Sequence, residues 1–386
     1  MAQHIQQLTI RAFRQLQDLE LRQLGDVNLL VGENNCGKTT VLEAISAHCQ
    51  PLDPLGWIEV ARRREIKSAR EPMLDAVRWL FPQFSAEHEA AYYRGEIVVQ
   101  GQGAYPNLET RATFRGVVGI SDDEPVGAQD EEDDDDTDEE STSYEGSPPQ
   151  ERGAEVEISA RVPISRKTEF EADSDGICRE QFNLWETKRF VSRSAPSKLC
   201  LPVATVSSVS HRVEQLQVAQ LTEATLNHAD WNVVQALQRI DPDVERLEIL
   251  SRRGIRPSLF VHHRRTGFTP LSSLGDGVRR VLTIALNLLS AQNGVLQIDE
   301  IETHIHKGAL TAVFEWIVRG CAQFKVQLVA TTHSLEAIDA LIGAEAIEVD
   351  NVVSFHLEQA DGTTKVRRFS GDLLHRLRYE SGLDVR

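Results

Sequence analysis

Eight residues near the N-terminus carry a spacing with a definite chemistry. Gly32-Glu33-Asn34-Asn35-Cys36-Gly37-Lys38-Thr39 fits G-x-x-x-x-G-K-[ST]. Glycines at its ends let backbone N–H groups curl round phosphate oxygens. A helix starting at the lysine would turn its positive end on the same anion. In that arrangement Lys38 reaches the β- and γ-phosphates of ATP and the Thr39 hydroxyl binds Mg²⁺. Gly32, Asn34, Asn35, Cys36, Gly37 and Thr40 complete the expected nucleotide contacts. Farther on, Val295-Leu296-Gln297-Ile298-Asp299-Glu300 is an apolar run ending in two carboxylates. At the C-terminal end of a strand, Asp299 would hold Mg²⁺ and Glu300 would polarise the attacking water. Val329-Ala330-Thr331-Thr332-His333-Ser334 places His333 past another apolar run, where it can donate to the γ-phosphate. Ser272, Ser273, Gly275 and Gly277 open a helix and make a second anion-binding turn. Asp276 sits among them, an unfavourable place for an acid beside a phosphate unless it points away.

These residues need elements to hold them. Residues 4–11 and 18–24 alternate as strands, 27–31 reads as a buried parallel strand, and 38–48 has helical periodicity with Val41, Leu42 and Ile45 on one face. Residues 57–81 read as mostly helical, and 95–120 as strands with turns at Gly101, Gly103 and Pro106-Asn107. Strands resume at 155–163, as though the segment between were a loop inserted into a hairpin. A helical stretch at 213–240 precedes a hairpin at 247–268. The last third returns to helix 277–291, strand 295–298, helix 307–324 and strand 326–330. Parallel strands alternating with helices give an α/β core. The expected partition is a core from residues 1–50 and 268–386, with an inserted β and helical lobe at 51–267.

Composition narrows the class. The chain has 386 residues, 41% hydrophobic and 26% charged, enough for a substantial core. Its longest apolar stretch, 281–289, is broken by Thr283 and Asn287 and is too short to span a bilayer. No membrane role is expected, and the first residues have no apolar leader. Five cysteines without paired spacing read as reduced thiols in the cytoplasm. The net charge is −18, but residues 122–145 hold fourteen acids and no Lys or Arg, so the remainder carries about −4. The segment 121–152 is expected to be disordered. It would be a solubilising loop, a nucleic-acid mimic or a dock for a basic partner. The basic run at 61–70 and His262-His263-Arg264-Arg265 are candidate phosphate contacts, or solvated faces with local pairing. His304 and His306 follow Glu302 as H-x-H and invite a metal reading, against that of a loop at a subunit interface.

The order of these motifs resembles the ABC-type P-loop ATPase head of the RecF-like, SMC-like and OLD-like proteins. In detail NLLVGENNCGKTTVLEAI, PLSSLGDGVRRVLTIALNLL, GVLQIDEIETHIHKG and ATTHSLEAI resemble stand-alone bacterial AAA/ABC-type ATPases related to the OLD family. The resemblance covers 1–50 and 268–340 well and the middle loosely. It implies a mainly parallel sheet with an antiparallel β subdomain and a helical insert. It also implies that 272–277 is the signature motif, which binds the γ-phosphate held by another subunit, so that ATP is sandwiched in a head-to-tail homodimer or higher homo-oligomer. Ser-Leu-Gly-Asp-Gly departs from the transporter signature Leu-Ser-Gly-Gly-Gln, and no Q-loop glutamine stands out. The 53 residues after His333 are too few for the Toprim nuclease of OLD proteins, which implies a separately encoded effector, a nuclease or toxin. Resemblance to OLD-like defence ATPases, including that of PARIS-type systems, implies an anti-phage role. The alternatives are a RecF-like ATPase that clamps duplex DNA, a nucleotide-gated scaffold and a transporter ATPase.

Overall fold

The computed structural model describes residues 3–64, 72–83, 93–119, 151–186, 197–212, 214–226, 230–251, 257–344, 351–360 and 362–385. An antiparallel sheet contains β1 (Gln7–Phe13), β2 (Leu16–Arg22), β4 (Arg94–Gln102), β5 (Glu109–Gly119), β6 (Glu151–Arg161) and β7 (Ile177–Trp185), in the order β2-β1-β4-β5-β6-β7. A second sheet contains β3 (Val27–Gly32), β8 (Val203–Val206), β12 (Val295–Ile298), β13 (Gln327–Thr331), β14 (Val352–Ala360) and β15 (Thr363–Ser370), ordered β15-β14-β3-β13-β12-β8. It is parallel except where β15 pairs antiparallel with β14. A small third sheet joins β9 (Val244–Leu250), β10 (Ser258–His263) and β11 (Gly267–Pro270).

The residue patterns account for these sheets. Every residue of β3 is buried, as a central parallel strand covered on both faces requires. In β5 Thr110, Ala112 and Phe114 point inward while Arg111, Thr113 and Arg115 face solvent, the period of a half-covered strand. Helix α1 (Lys38–Cys49) lies between the two large sheets. Its Val41, Leu42 and Ile45 pack with Leu8, Ile10, Ala112 and Phe114, and with Leu30 of β3. Leu29 and Val31, on the other face of β3, join a second core with α6 (Asp276–Ser290), α7 (Leu310–Phe324) and α8 (Leu335–Ile342). The remaining helices are α2 (Pro54–Arg62), α3 (Met73–Arg78), α4 (Glu214–Leu226), α5 (Asp230–Gln238) and α9 (Gly371–His375).

Sheet membership does not follow chain order. Strands β1 and β2, grouped by sequence with the phosphate-binding core, belong to the antiparallel sheet. Strand β8, from the expected insert, forms an edge of the parallel sheet beside β12. The hairpin interrupted by the acidic run is present as the pair β5–β6, which ends at Gly119 opposite Glu151. Residues 120–150, and with them nearly all of the acidic segment, lie outside the described residues. Glu151 and Arg152, expected in that segment, begin β6 instead, because their backbones complete the ladder to Gly119 and Val118. Helix α2 starts at Pro54 rather than Trp57, since Asp53 caps it by accepting from Leu55 N and proline fits its first turn. Strands β7, β8, β14 and β15 were not anticipated.

Candidate functional site

The G-x-x-x-x-G-K-[ST] loop joins β3 to α1. Gly32 has φ +139°, and a Cβ there would lie 2.2 Å from the Leu357 carbonyl oxygen of the paired strand β14. Gly37 has φ +99° and caps α1 in the left-handed conformation, with the Leu16 side chain 2.7 Å from where a Cβ would stand. Only glycine meets both demands without strain. Asn35 is also left-handed (φ 63°). Within the loop, buried Lys38 donates from Nζ to the carbonyls of Gly32 (2.9 Å) and Glu33 (2.7 Å), and lies 3.6 Å from Cys36 Sγ. Glu33, Asn34 and Asn35 are exposed, and Cys36 is buried. Thr40 accepts from Arg64 Nη2 at 2.9 Å.

The parallel register carries the acidic strand end to the same edge. Ile298 is opposite Ala330, Ala330 opposite Leu29 and Thr331 opposite Leu30, so β12, β13 and β3 end side by side. Asp299 lies 3.3 and 3.5 Å by its two oxygens from the Thr39 hydroxyl. A hydroxyl and a carboxylate are hard oxygen donors, the kind that suit Mg²⁺. The Thr331 hydroxyl donates to Asp299 Oδ1 at 2.6 Å and accepts from Glu300 N at 2.8 Å. Glu300 is held in the left-handed region (φ 50°), and its Oε2 accepts from Thr303 Oγ1 at 3.1 Å. His333 follows β13 at this edge, its backbone N–H donating to Glu302 Oε1 at 3.2 Å.

The loop and the two strand ends therefore converge, and two residues that sequence reading passed over hold them. Thr331 stood inside a quoted motif, but its part depends on the register. Arg280 gave no signal except a cation on the apolar side of a helix. It is fully buried and donates to the carbonyls of Ser207, Asp299 (2.8 Å) and Glu300 (3.2 Å). Burial pushes its pKa down to about 10, opposed by Asp299, Glu300 and Glu302, so it stays charged at neutral pH.

Ser272 and Ser273 lie exposed on a short 3-10 turn, and Gly275, also exposed, caps α6 without a side-chain bond. Arg280 ties the same helix to the acidic strand end of its own chain. Gly277 packs under the loop after β12, where a Cβ would come within 2.9 Å of the His304 carbonyl oxygen. Asp276 turns to a basic set: Arg279 at 3.5 Å, His211 and Arg212 at 3.8 Å and His304 at 3.9 Å.

A cavity of about 360 Å³ opens beside the loop. Asn35, Gly37 and Thr40 line its loop side, Arg14, Trp79 and Phe81 face them, and Gln359 and Thr364 come from β14 and β15. Trp79 is half exposed there. Several of the basic candidates for phosphate contact among the described residues are engaged within the chain. Arg64 donates to Glu43 and Thr40, and Arg63 to Ser46 and Gln297. Residues 65–70 lie outside the described residues. His262 and Arg264 pair with Glu245, His263 with Asp241, and Arg265 with Asp243. Among the described residues no helix is long and apolar enough to cross a membrane.

A family described as "AAA domain, putative AbiEii toxin, Type IV TA system" matches residues 27–339. An uncharacterized protein of Methanocaldococcus jannaschii is 36% identical over 69 residues, a match spanning 18% of this chain and 60% of that relative. The chain also resembles the SMC head bound to the C-terminal winged-helix domain of ScpA, at 12% identity and TM-score 0.48, covering 98% of this chain and 100% of that one. The SMC head domain of Thermotoga maritima gives 10% identity and TM-score 0.42, covering 95% and 99%.

Proposed function

The chain belongs to the AAA-domain family matched over residues 27–339, and from that premise we propose that it is an ATP-driven switch whose heads associate around nucleotide and control a separate effector. One arrangement carries the reading. The Thr39 hydroxyl and Asp299 carboxylate face each other beside a lysine-filled glycine loop, with Glu300 fixed next to them through Thr331. The α1 N-terminus and Lys38 bind the β- and γ-phosphates. Mg²⁺ bound by Thr39 and Asp299 would neutralise the phosphate oxygens. Glu300 accepts the proton of a water whose oxygen attacks the γ-phosphorus, while the bond to the β-phosphate oxygen breaks. His333 donates to the γ-phosphate. Trp79 and Arg14 offer a flat apolar face and a cation on the base side of the cavity.

The exposed Ser272, Ser273 and Gly275 support a role in trans, with each chain's signature turn completing its partner's site. The family's description speaks of a putative AbiEii toxin of a Type IV TA system, which lends support to a defence setting; the OLD-like kind, with a separate nuclease or toxin as effector, rests on the motif resemblance. The second reading, a RecF-like clamp on DNA, is less well supported, because Arg64, His262, His263, Arg264 and Arg265 are each held by a carboxylate of the chain itself.

The test is the light-scattering mass of Glu300→Gln with and without ATP–Mg²⁺, repeated with duplex DNA. We expect ATP alone to produce a stable dimer or larger assembly, turnover to fall on the order of 100-fold or more, and Lys38→Ala to bind no nucleotide. An assembly that forms only with DNA would transfer the lead to the clamp. Wild-type turnover by Glu300→Gln would refute its role as base.

A further inference from the structure

The H-x-H pair after the acidic strand end does not act as a pair. His306 turns back on its own chain, its Nδ1 accepting from Gly308 N at 3.1 Å to cap the turn before α7. His304, held in the left-handed region at φ 63°, faces the other way, towards the start of α6. There it meets two residues distant in sequence. The donor atoms of His211, Asp276 and His304 all lie within 4.8 Å of one another. His211 Nε2 is 3.8 Å from Asp276 Oδ1, His304 Nδ1 is 3.9 Å from Asp276 Oδ2, and the two imidazole centroids are 4.6 Å apart.

These separations are too long for hydrogen bonds. Donors at about 2.0–2.1 Å from one tetrahedral ion stand roughly 3.4 Å apart, so the three donors, all within 4.8 Å of one another, need to close by about 1 Å to share one, a movement within reach of side-chain rotation. The second observation is independent of that spacing. His211 is fully buried, and both its ring nitrogens lack a hydrogen-bond partner. A buried imidazole with neither nitrogen satisfied is costly. Coordination of an ion by the nitrogen aimed at Asp276 would remove much of that cost.

We infer that His211, Asp276 and His304 form a binding site for a divalent transition metal, zinc by ligand chemistry, separate from the nucleotide's Mg²⁺. Two imidazoles and one carboxylate suit zinc and its first-row neighbours, whereas Mg²⁺ prefers oxygens throughout. Arg212 and Arg279 compete for Asp276. Arg212 is well exposed and free to swing into solvent, and the carboxylate has a second oxygen to keep Arg279. The ion would join the loop after β8, the first turn of α6 and the loop after β12. It would thus fix the signature turn against the acidic strand end within one chain, where Arg280 already spans the same three segments.

The test is titration of the untagged, metal-stripped full-length chain with Co²⁺ and then Zn²⁺, in excess Mg²⁺ and without nucleotide. We expect one equivalent of Co²⁺ with the intense visible absorption of a tetrahedral site, displaced by Zn²⁺. His304→Ala and Asp276→Asn should weaken binding on the order of 100-fold, while His306→Ala and Lys38→Ala should leave it unchanged. His304 is exposed, so its variant should fold; His211→Asn, checked by circular dichroism, should lose the absorption as well. Failure to bind Co²⁺, or binding that survives His304→Ala or is equally lost in His306→Ala, would overturn the site. None of these readouts depends on ATP turnover.

Discussion

Two side chains fix the acidic strand end, and neither would touch nucleotide. Thr331 uses one hydroxyl both to orient Asp299 and to hold the backbone of Glu300. Arg280 collects three carbonyls from two loops with a planar fork that lysine lacks. Arg280→Lys should therefore strand buried carbonyls, costing on the order of 2–4 kcal/mol. It should also lower kcat more than it weakens nucleotide binding, because Glu300 loses its anchor while the glycine loop keeps its own. Denaturant midpoints and a split between kcat and nucleotide Kd check this. An unchanged midpoint would mean that the carbonyls find water instead.

At the scale of the element, α1 departs most from its expected pattern. A one-sided apolar stripe predicts an exposed face, yet from Thr40 to Cys49 the helix is buried on all sides. Its polar residues find partners on neighbouring elements. Ser46 bonds Gln297 of β12, and His48 Nδ1 meets Thr110 of β5 at 3.0 Å while its ring packs against Gly101, where a Cβ would lie 2.2 Å from Nε2. Burial pushes the His48 pKa down to about 4, partly offset by its contact with Asn107. The folded chain thus keeps His48 neutral while the unfolded chain takes up a proton below about 6.5. Stability should fall as pH drops from 6.5 towards 4, with a contribution of up to about 1.4 kcal/mol per pH unit. Denaturation of wild type and His48→Gln across that window tests the assignment; equal slopes would reject it.

For the whole molecule the decisive joint is Glu43. It is fully buried on α1 and takes Arg14 from the end of β1 and Arg64 from beyond α2, with bonds of 2.7–2.8 Å to each. The joint couples the antiparallel sheet to the phosphate loop, since Arg64 also reaches Thr40. Glu43→Gln leaves two guanidinium groups without their counter-charge and should cost about 3 kcal/mol. Breaking the exposed Lys307–Glu336 pair by Lys307→Ala should leave the midpoint nearly unchanged, because solvent screens it. Denaturant midpoints separate the two; similar losses would show that Glu43 is not the joint. Nucleotide affinity should fall with Glu43→Gln only, through Thr40.

Local chemistry was legible in the sequence. The glycine loop, the buried strand ahead of it, the strands at 295–298 and 326–330 and the α/β class follow from spacing and from uninterrupted apolar runs, because backbone geometry at a phosphate loop and burial on both faces of a parallel strand are written in consecutive residues. What lies far apart in the chain was decided by the fold. Strand β8 is four residues long and has no pattern of its own; pairing with β12 makes it a strand. Strands β14 and β15 showed no signal strong enough to read, yet they complete the sheet beside the loop. Arg280, Glu43 and the meeting of His211 with Asp276 and His304 depend on side chains brought together across tens to hundreds of residues. Sequence fixes what each residue can do within its own turn or strand, whereas charge neutralisation in a buried core depends on which partners three-dimensional packing supplies.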